Sequence, residues 1–200
     1  MNKNKFFTTK NLAIMGMLGA LAGVLTLFSF PIAFIAPSFY KLDFAEIPVL
    51  VGTFLLGPIA GVVIELLKIL VNLLLNSSTT FGVGELANFS IGCALVVPAG
   101  IVYQLRKNKK GAILGMAVGT VIMVAAGVFL NAYVMLPFYS SFMPLESILE
   151  AGAAINPAIS NVWTFCLIAV APFNLIKGVV VSLVTAVIYK KISILLKGNH

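Results

Sequence analysis

Charge is what this chain has least of. Only 10% of its 200 residues are Asp, Glu, Lys or Arg, while 60% are hydrophobic. A soluble domain carries about 25% charged residues, so a water-facing globular surface is excluded. Histidine is nearly missing too. The one histidine, His200, is the last residue, and no H-E-x-x-H pair exists to hold a hydrolytic zinc. Cysteine is scarce: Cys93 and Cys166 lie in apolar runs without metal-type or redox-type spacing, and read as small packing residues. No serine or cysteine has a base placed to activate it, so an intramembrane enzyme is a poor fit and no catalytic residue is assigned. A G-x-x-x-x-G-K-[ST] phosphate loop is absent. Any energy for transport must then come from another subunit or from an ion gradient.

What is present is a set of long apolar runs. Six stretches approach the length a bilayer requires, over roughly 10–30, 44–57, 58–76, 84–105, 111–136 and 161–189. The expected fold is all-α, a polytopic membrane protein with six transmembrane helices forming one domain over 1–200. The first run follows a basic start and is long enough to span, so it reads as a retained helix and not a cleaved signal. Gly57 and Pro58 in "LLGPIAG" supply a tight break between the second and third runs.

Three short stretches hold ten of the thirteen basic residues: Lys3, Lys5 and Lys10; Arg106, Lys107, Lys109 and Lys110; and Lys190, Lys191 and Lys197. With six spans all three fall on one side, which the positive-inside rule makes cytoplasmic, together with both termini. The net charge of +7 is thus an orientation signal, and no nucleic-acid binding is read from it. The outer connections are then "PIAFIAPSFYKLD", "NSSTTFGVG" and "PFYSSFMPLESILEAGAAINPAIS". The last holds Glu146 and Glu150 and suits a short amphipathic helix.

Polar residues within the apolar runs are the informative minority, because an ionised lysine near a bilayer centre costs roughly 2.5–3.5 kcal/mol on insertion scales. Lys177 lies thirteen positions from Lys190, roughly 20 Å above the inner boundary at 1.5 Å per residue. Asn174 is about a turn higher. Asn131 sits near the outer end of the fifth run, Asp43 and Glu46 open the second, and Thr79, Thr80, Gly82, Gly84, Glu85 and Asn88 open the fourth. Four separate parts of the chain therefore bring polar groups to the outer half, which points to an outward-facing pocket closed toward the cytoplasm. Plainer readings exist for each. "DFAEIP" is also an ordinary acidic helix start, Asn131 an interhelical hydrogen bond, and Lys177 one half of a salt bridge to Glu85 or Asp43. Glu65 and Lys68, three apart, can neutralise each other on one helix face. Ala13, Gly16, Gly19, Ala20 and Gly23 make the first helix a groove of small residues, suited to internal packing or to a partner subunit.

The stretches "KLDFAEIPVLVGTFLLGPIAGVVIELLKILVNLL", "TTFGVGELANF" and "FNLIKG" closely resemble the riboflavin-specific S components of energy-coupling factor (ECF) transporters. The resemblance covers nearly the whole chain and is loosest over 137–160. It implies a multi-pass subunit of the cell membrane that binds riboflavin from outside, as transported ligand and not as catalytic cofactor. It implies two kinds of partner, a transmembrane coupling subunit and two cytoplasmic ATPase subunits. The family docks through a small-residue motif on helix 1, which here corresponds to the region Ala13–Gly23. Its ligand site maps onto Tyr40, Asp43, Glu46, Thr79, Thr80, Gly82, Gly84, Glu85, Asn131, Asn174 and Lys177, with Phe39, Phe81 and Leu175 as candidate covers for the ring faces. The competing expectations are an S component for another vitamin or flavin analogue, and a stand-alone secondary transporter coupled through Asp43, Glu65 or Glu85.

Overall fold

The structure is a computed structural model that describes residues 8–76, 78 and 81–197, with side-chain surroundings through residue 189. Five helical stretches are long and apolar enough to cross a membrane: Thr9–Phe28, Pro58–Asn76, Val83–Leu105, Lys109–Tyr139 and Val162–Tyr189. The chain is an all-α polytopic membrane protein. The second expected span differs. Helix α2 (Glu46–Leu56) has 11 residues, about 16 Å of rise, half of a hydrocarbon core about 30 Å thick. It follows α1 (Thr9–Leu25) and precedes α3 (Pro58–Asn76) and α4 (Val83–Leu105).

Local chemistry explains the boundaries. Thr8 starts α1 by accepting a hydrogen bond from the Asn11 N–H, and Asn108 starts α5 (Lys109–Leu130) in the same way through Gly111. The break after α2 falls at Gly57, whose φ of 101° is open to glycine and costly for other residues. Pro58 then opens α3, where a missing N–H does no harm. The last two spans each contain one π-type turn, Asn131–Met135 after α5 and Cys166–Val170 after α8 (Val162–Phe165). The first runs on into α6 (Leu136–Tyr139), and the second into α9 (Ala171–Lys197). The expected amphipathic helix is present as α7 (Leu145–Ala153), with Ile148 and Gly152 buried and Glu146 and Glu150 exposed.

Small residues let the helices close on one another. Gly115 and Gly119 of α5 meet the backbone of Ala99 and Leu95 on α4 so closely that no Cβ would fit. Gly19 and Gly23 of α1 are filled in the same manner by Leu67 and Val71 of α3. The groove of small residues therefore has two faces. Gly19 and Gly23 are buried and used internally, whereas Ala13, Gly16 and Ala20 are exposed. A Cβ on Gly16 would meet nothing within 4 Å.

Two apolar cores result. One, around Val49, Leu50, Ile64, Leu95, Val96 and Met116, joins α1 to α5 and α9. It ends in a cluster of Phe54, Tyr103 and Tyr189, whose two hydroxyls are 3.1 Å apart. The other, around Leu42, Leu136, Ile148, Phe165 and Phe173, joins the first and last connections to the π-turns. The functional cavity is lined by members of this second core.

Candidate functional site

The segment between α1 and α2 folds back on itself through a two-residue antiparallel ribbon, β1 (Phe30–Pro31) against β2 (Lys41–Leu42). This delivers Tyr40 and Asp43 onto the last two spans. The Tyr40 hydroxyl donates to Asn131 Oδ1 at 2.6 Å. Burial pushes the phenol well above its ordinary range, helped by Cys166 and Tyr139 nearby, so it stays a neutral donor. Its ring packs on Phe165 and Phe173. Asp43 accepts the Ala45 N–H on one oxygen at 2.9 Å and the Lys177 ammonium on the other at 3.0 Å. Burial raises the Asp43 carboxyl, but the charges of Lys177 and Lys68 and the Ala45 N–H outweigh it, leaving the group below the ordinary carboxylate range. Of the two salt-bridge partners considered for Lys177, Asp43 is the one it meets.

The two asparagines share one glycine. Asn131 Nδ2 donates to the Gly127 carbonyl at 2.8 Å, and the Asn174 amide lies where a Gly127 Cβ would stand. Asn174 Nδ2 in turn donates to Val170 at 2.9 Å, the last residue of the second π-turn. A π-turn shifts helix register by a fraction of a turn, and such turns recur at functional sites. Here one begins at Asn131 and the other ends at Val170, four residues before Asn174, and both amides line one cavity.

That cavity has a volume of about 590 Å³, within the range of small-molecule sites. Of the residues expected in the site, Tyr40, Asp43, Gly84, Asn131, Asn174 and Lys177 line it. Glu46, Gly82 and Glu85 do not. Glu46 turns into the protein interior, where it meets Lys68 at 2.6 Å. Glu85 accepts from the Ser78 hydroxyl at 3.0 Å. Gly82, at φ 87°, makes the turn into α4 and donates its N–H to Ser78. Thr79 and Thr80 lie outside the described residues. Phe39 and Phe81 do border the cavity, but Leu175 is half exposed on the outer face of α9 and does not.

Sequence reading missed the aromatic wall contributed by Phe138, Tyr139, Phe142 and Phe173, and the edge residues Lys41 and Met143. The spacing of Phe138 and Phe142, four apart in an otherwise polar connection, was the available signal.

A second buried polar cluster lies in the bundle. Lys68 of α3 is within 2.6 Å of Glu46 and 2.5 Å of Glu65, and all three are essentially inaccessible. The expected Glu65–Lys68 pair is therefore present with an additional carboxylate. Gly92 of α4 makes room for it, since a Cβ there would collide with the Glu65 carboxylate. None of the three lines the cavity. Farther along α9, Ser182 and Thr185 are buried hydroxyls without a hydrogen-bond partner among the described residues, so buried polar groups on this helix extend beyond the cavity.

Among the described residues no group of three or more His, Cys, Asp or Glu side chains is placed to hold a metal. The cavity offers amides, the ammonium of Lys177 with that of Lys41 at its edge, one carboxylate and aromatic walls. It can recognise a flat molecule edged with carbonyls and nitrogens, and it holds no nucleophile–base pair.

Comparison with known proteins is consistent across the chain. The family model for the ECF transporter substrate-specific component matches residues 10–189. The riboflavin transporter RibU of Staphylococcus aureus is 34% identical over 188 residues, covering 94% of this chain and 93% of that protein. The riboflavin transporter FmnP of Bacillus subtilis is 30% identical over 186 residues, 92% of each. A solved structure of the S component of a bacterial ECF transporter superposes with a TM-score of 0.73 at 33% identity, covering 94% of this chain and 98% of that one.

Proposed function

This chain belongs to the ECF transporter substrate-specific components, and from that premise we propose that it captures riboflavin in the cavity described above. The family consists of transporter subunits and not enzymes, in keeping with a site that has binding groups only. The observation that carries the reading is the convergence of Asn131, Asn174 and Lys177 on one cavity with aromatic walls. Riboflavin has a planar heterocycle edged with carbonyls and ring nitrogens. The amides supply donors and acceptors together, and the ammonium supplies donors. The ring faces pack against Phe173, Met135 and Ile91. Asp43, the backbone at Gly84, and Thr79 and Thr80 take the ribityl hydroxyls, with Glu85 behind Ser78 as support.

In this reading the cavity opens outside, and both termini and the Arg106–Lys110 loop are cytoplasmic. The short helix α2 acts as the sixth membrane segment, and the chain works as one unit. The apolar core beside the cavity, with its Phe54–Tyr103–Tyr189 end, supports closure toward the cytoplasm. Delivery then depends on partners, a transmembrane coupling subunit and two ATPase subunits. The exposed face of Ala13, Gly16 and Ala20 is the docking surface.

Protein purified from flavin-containing cells should be yellow and should quench flavin fluorescence. Protein that is colourless and also fails to bind added riboflavin rejects the assignment. A competition series across water-soluble vitamins identifies any other preferred ligand.

A further inference from the structure

The edge of the cavity carries two phenylalanines from distant connections. Phe81 closes the connection between α3 and α4, and Phe142 lies between α6 and α7. Both line the cavity, yet they are 83% and 62% exposed. Residues that border a cavity and are largely exposed stand where it meets the outside. Their rings stack on each other, with centroids 5.7 Å apart and planes 21° apart. Phe138, which also lines the cavity, packs on Phe142 at 5.1 Å.

The backbone beneath Phe81 is unusual. Its φ of 50° is the only positive value at a non-glycine among the described residues, and Gly82 follows at 87°. A bulky side chain in that region is a genuine outlier. Such outliers persist where the surroundings over-determine them, and they cluster at ligand clamps and switch regions. Two consecutive left-handed residues turn the chain sharply at the start of α4, and the Phe81 ring lands on Phe142 instead of lying along the helix. Exposed aromatics at a membrane boundary often serve only as interfacial anchors. A ring that stacks across to a second connection and borders the ligand cavity is doing something else.

We propose that Phe81 and Phe142 form an aromatic latch over the cavity mouth, which must part for a flat ligand to enter or leave. The latch sets the rate of entry as well as the rate of exit. It closes the mouth whether or not ligand is inside, so its loss accelerates entry and exit together. The inference rests on the cavity being the riboflavin site.

Stopped-flow flavin quenching on the full chain in lipid nanodiscs tests it. Phe81→Asn removes the ring and keeps the turn, because asparagine tolerates positive φ. Phe142→Ala removes the other ring. Each should raise both the association and the dissociation rate about three- to tenfold, the scale of one lost aromatic pair; the faster association is the readout that a wall contact does not give. The double variant should exceed neither single one, and Phe81→Tyr should behave like the native chain. Unchanged rates overturn the latch. So does a faster dissociation with unchanged association, which marks a wall contact only. A second measurement uses Phe81→Cys with Phe142→Cys after replacing Cys93 and Cys166 by alanine. Bridging the pair with a short bis(methanethiosulfonate) cross-linker, each arm losing methanesulfinate as its disulfide forms, should retain loaded riboflavin through dialysis until a reductant cuts the bridge, and loss of flavin with the bridge intact overturns the proposal. A native chain that takes up no riboflavin sinks the site reading. A native chain that binds it, with rates indifferent to both rings, sinks the latch alone.

Discussion

Lys68 and Lys177 each interrupt an apolar helix, and both are more than nine-tenths buried, but their surroundings differ. Lys68 is enclosed by Glu46 and Glu65 at 2.6 and 2.5 Å, away from the cavity, and the Glu65 carboxylate fills the space beside Gly92. Lys177 has one carboxylate, Asp43 at 3.0 Å, and lines the cavity wall. A buried ammonium held between two carboxylates keeps one donor at most, and with no cavity beside it there is no ligand to receive it. It joins the start of α2 to α3 and so holds the segment that carries Asp43. An ammonium with one carboxylate and a cavity beside it keeps donors to offer. Burial of a charge inside a membrane protein is therefore not by itself a mark of a binding site. The number of its partners, and what lies on its remaining side, decide that.

The contrast can be broken most directly at Lys68. Lys68→Met leaves two buried carboxylates without their cation, and breaking such a cluster costs about 3–5 kcal/mol. Thermal unfolding in detergent should show a large fall in Tm or loss of folded protein. Adding Glu46→Gln and Glu65→Gln to the same chain should recover most of it. A native Tm for Lys68→Met alone would remove the structural role.

Lys177→Met is expected to act on the ligand instead. A hydrogen bond to a charged group is worth about 1.5–3 kcal/mol, so riboflavin affinity by fluorescence titration should fall roughly tenfold to a hundredfold. Its Tm should drop less than that of Lys68→Met, because Asp43 stands at the cavity where water can reach it. Equal Tm losses in the two variants would erase the distinction drawn here.

Gly92→Ala sharpens the same comparison from the neighbouring helix. Its methyl group meets the Glu65 carboxylate, an overpacking expected to cost about 1–3 kcal/mol with riboflavin affinity unchanged. A loss of affinity without a loss of Tm would tie the Lys68 cluster to the ligand after all. The smallest effect belongs to Ala20→Leu, on the exposed face of α1 and apart from both lysines. Stability and riboflavin affinity should match the native chain, while co-purification with the coupling subunit and riboflavin uptake should fall. Normal assembly would count against that surface.

Much of this was readable before any coordinates. The long apolar runs, the Gly57–Pro58 break, the amphipathic helix near Glu146 and the Glu65–Lys68 pair all follow from local spacing, and local spacing is set by helix geometry. Asp43, Asn131, Asn174 and Lys177 stood out because polar groups are costly in lipid. Glu46 was placed with them on the same logic, but it faces Lys68. Nothing in "DFAEIP" says which way α2 rotates, since that is settled by contact with α3. The small residues of α1 were seen as one groove, yet packing against Leu67 and Val71 divides them into a buried and an exposed face. Phe138 and Phe142 stand four apart, but spacing alone does not say which way the pair faces, and packing settles that.

Residence in a membrane, the course of the long helices and the few polar residues that had to be answered by partners all follow from the order of residues. Those outcomes depend on transfer free energies and on the 1.5 Å rise of a helix, both of which act residue by residue. Which partner each charge received was set by helix packing. Two π-turns and a folded-back ribbon turn Asn131, Asn174 and Asp43 toward Lys177, while Glu46 is drawn to Lys68 a helix away. Pairing of buried charges depends on distance across the bundle, and that distance exists only once the helices have packed.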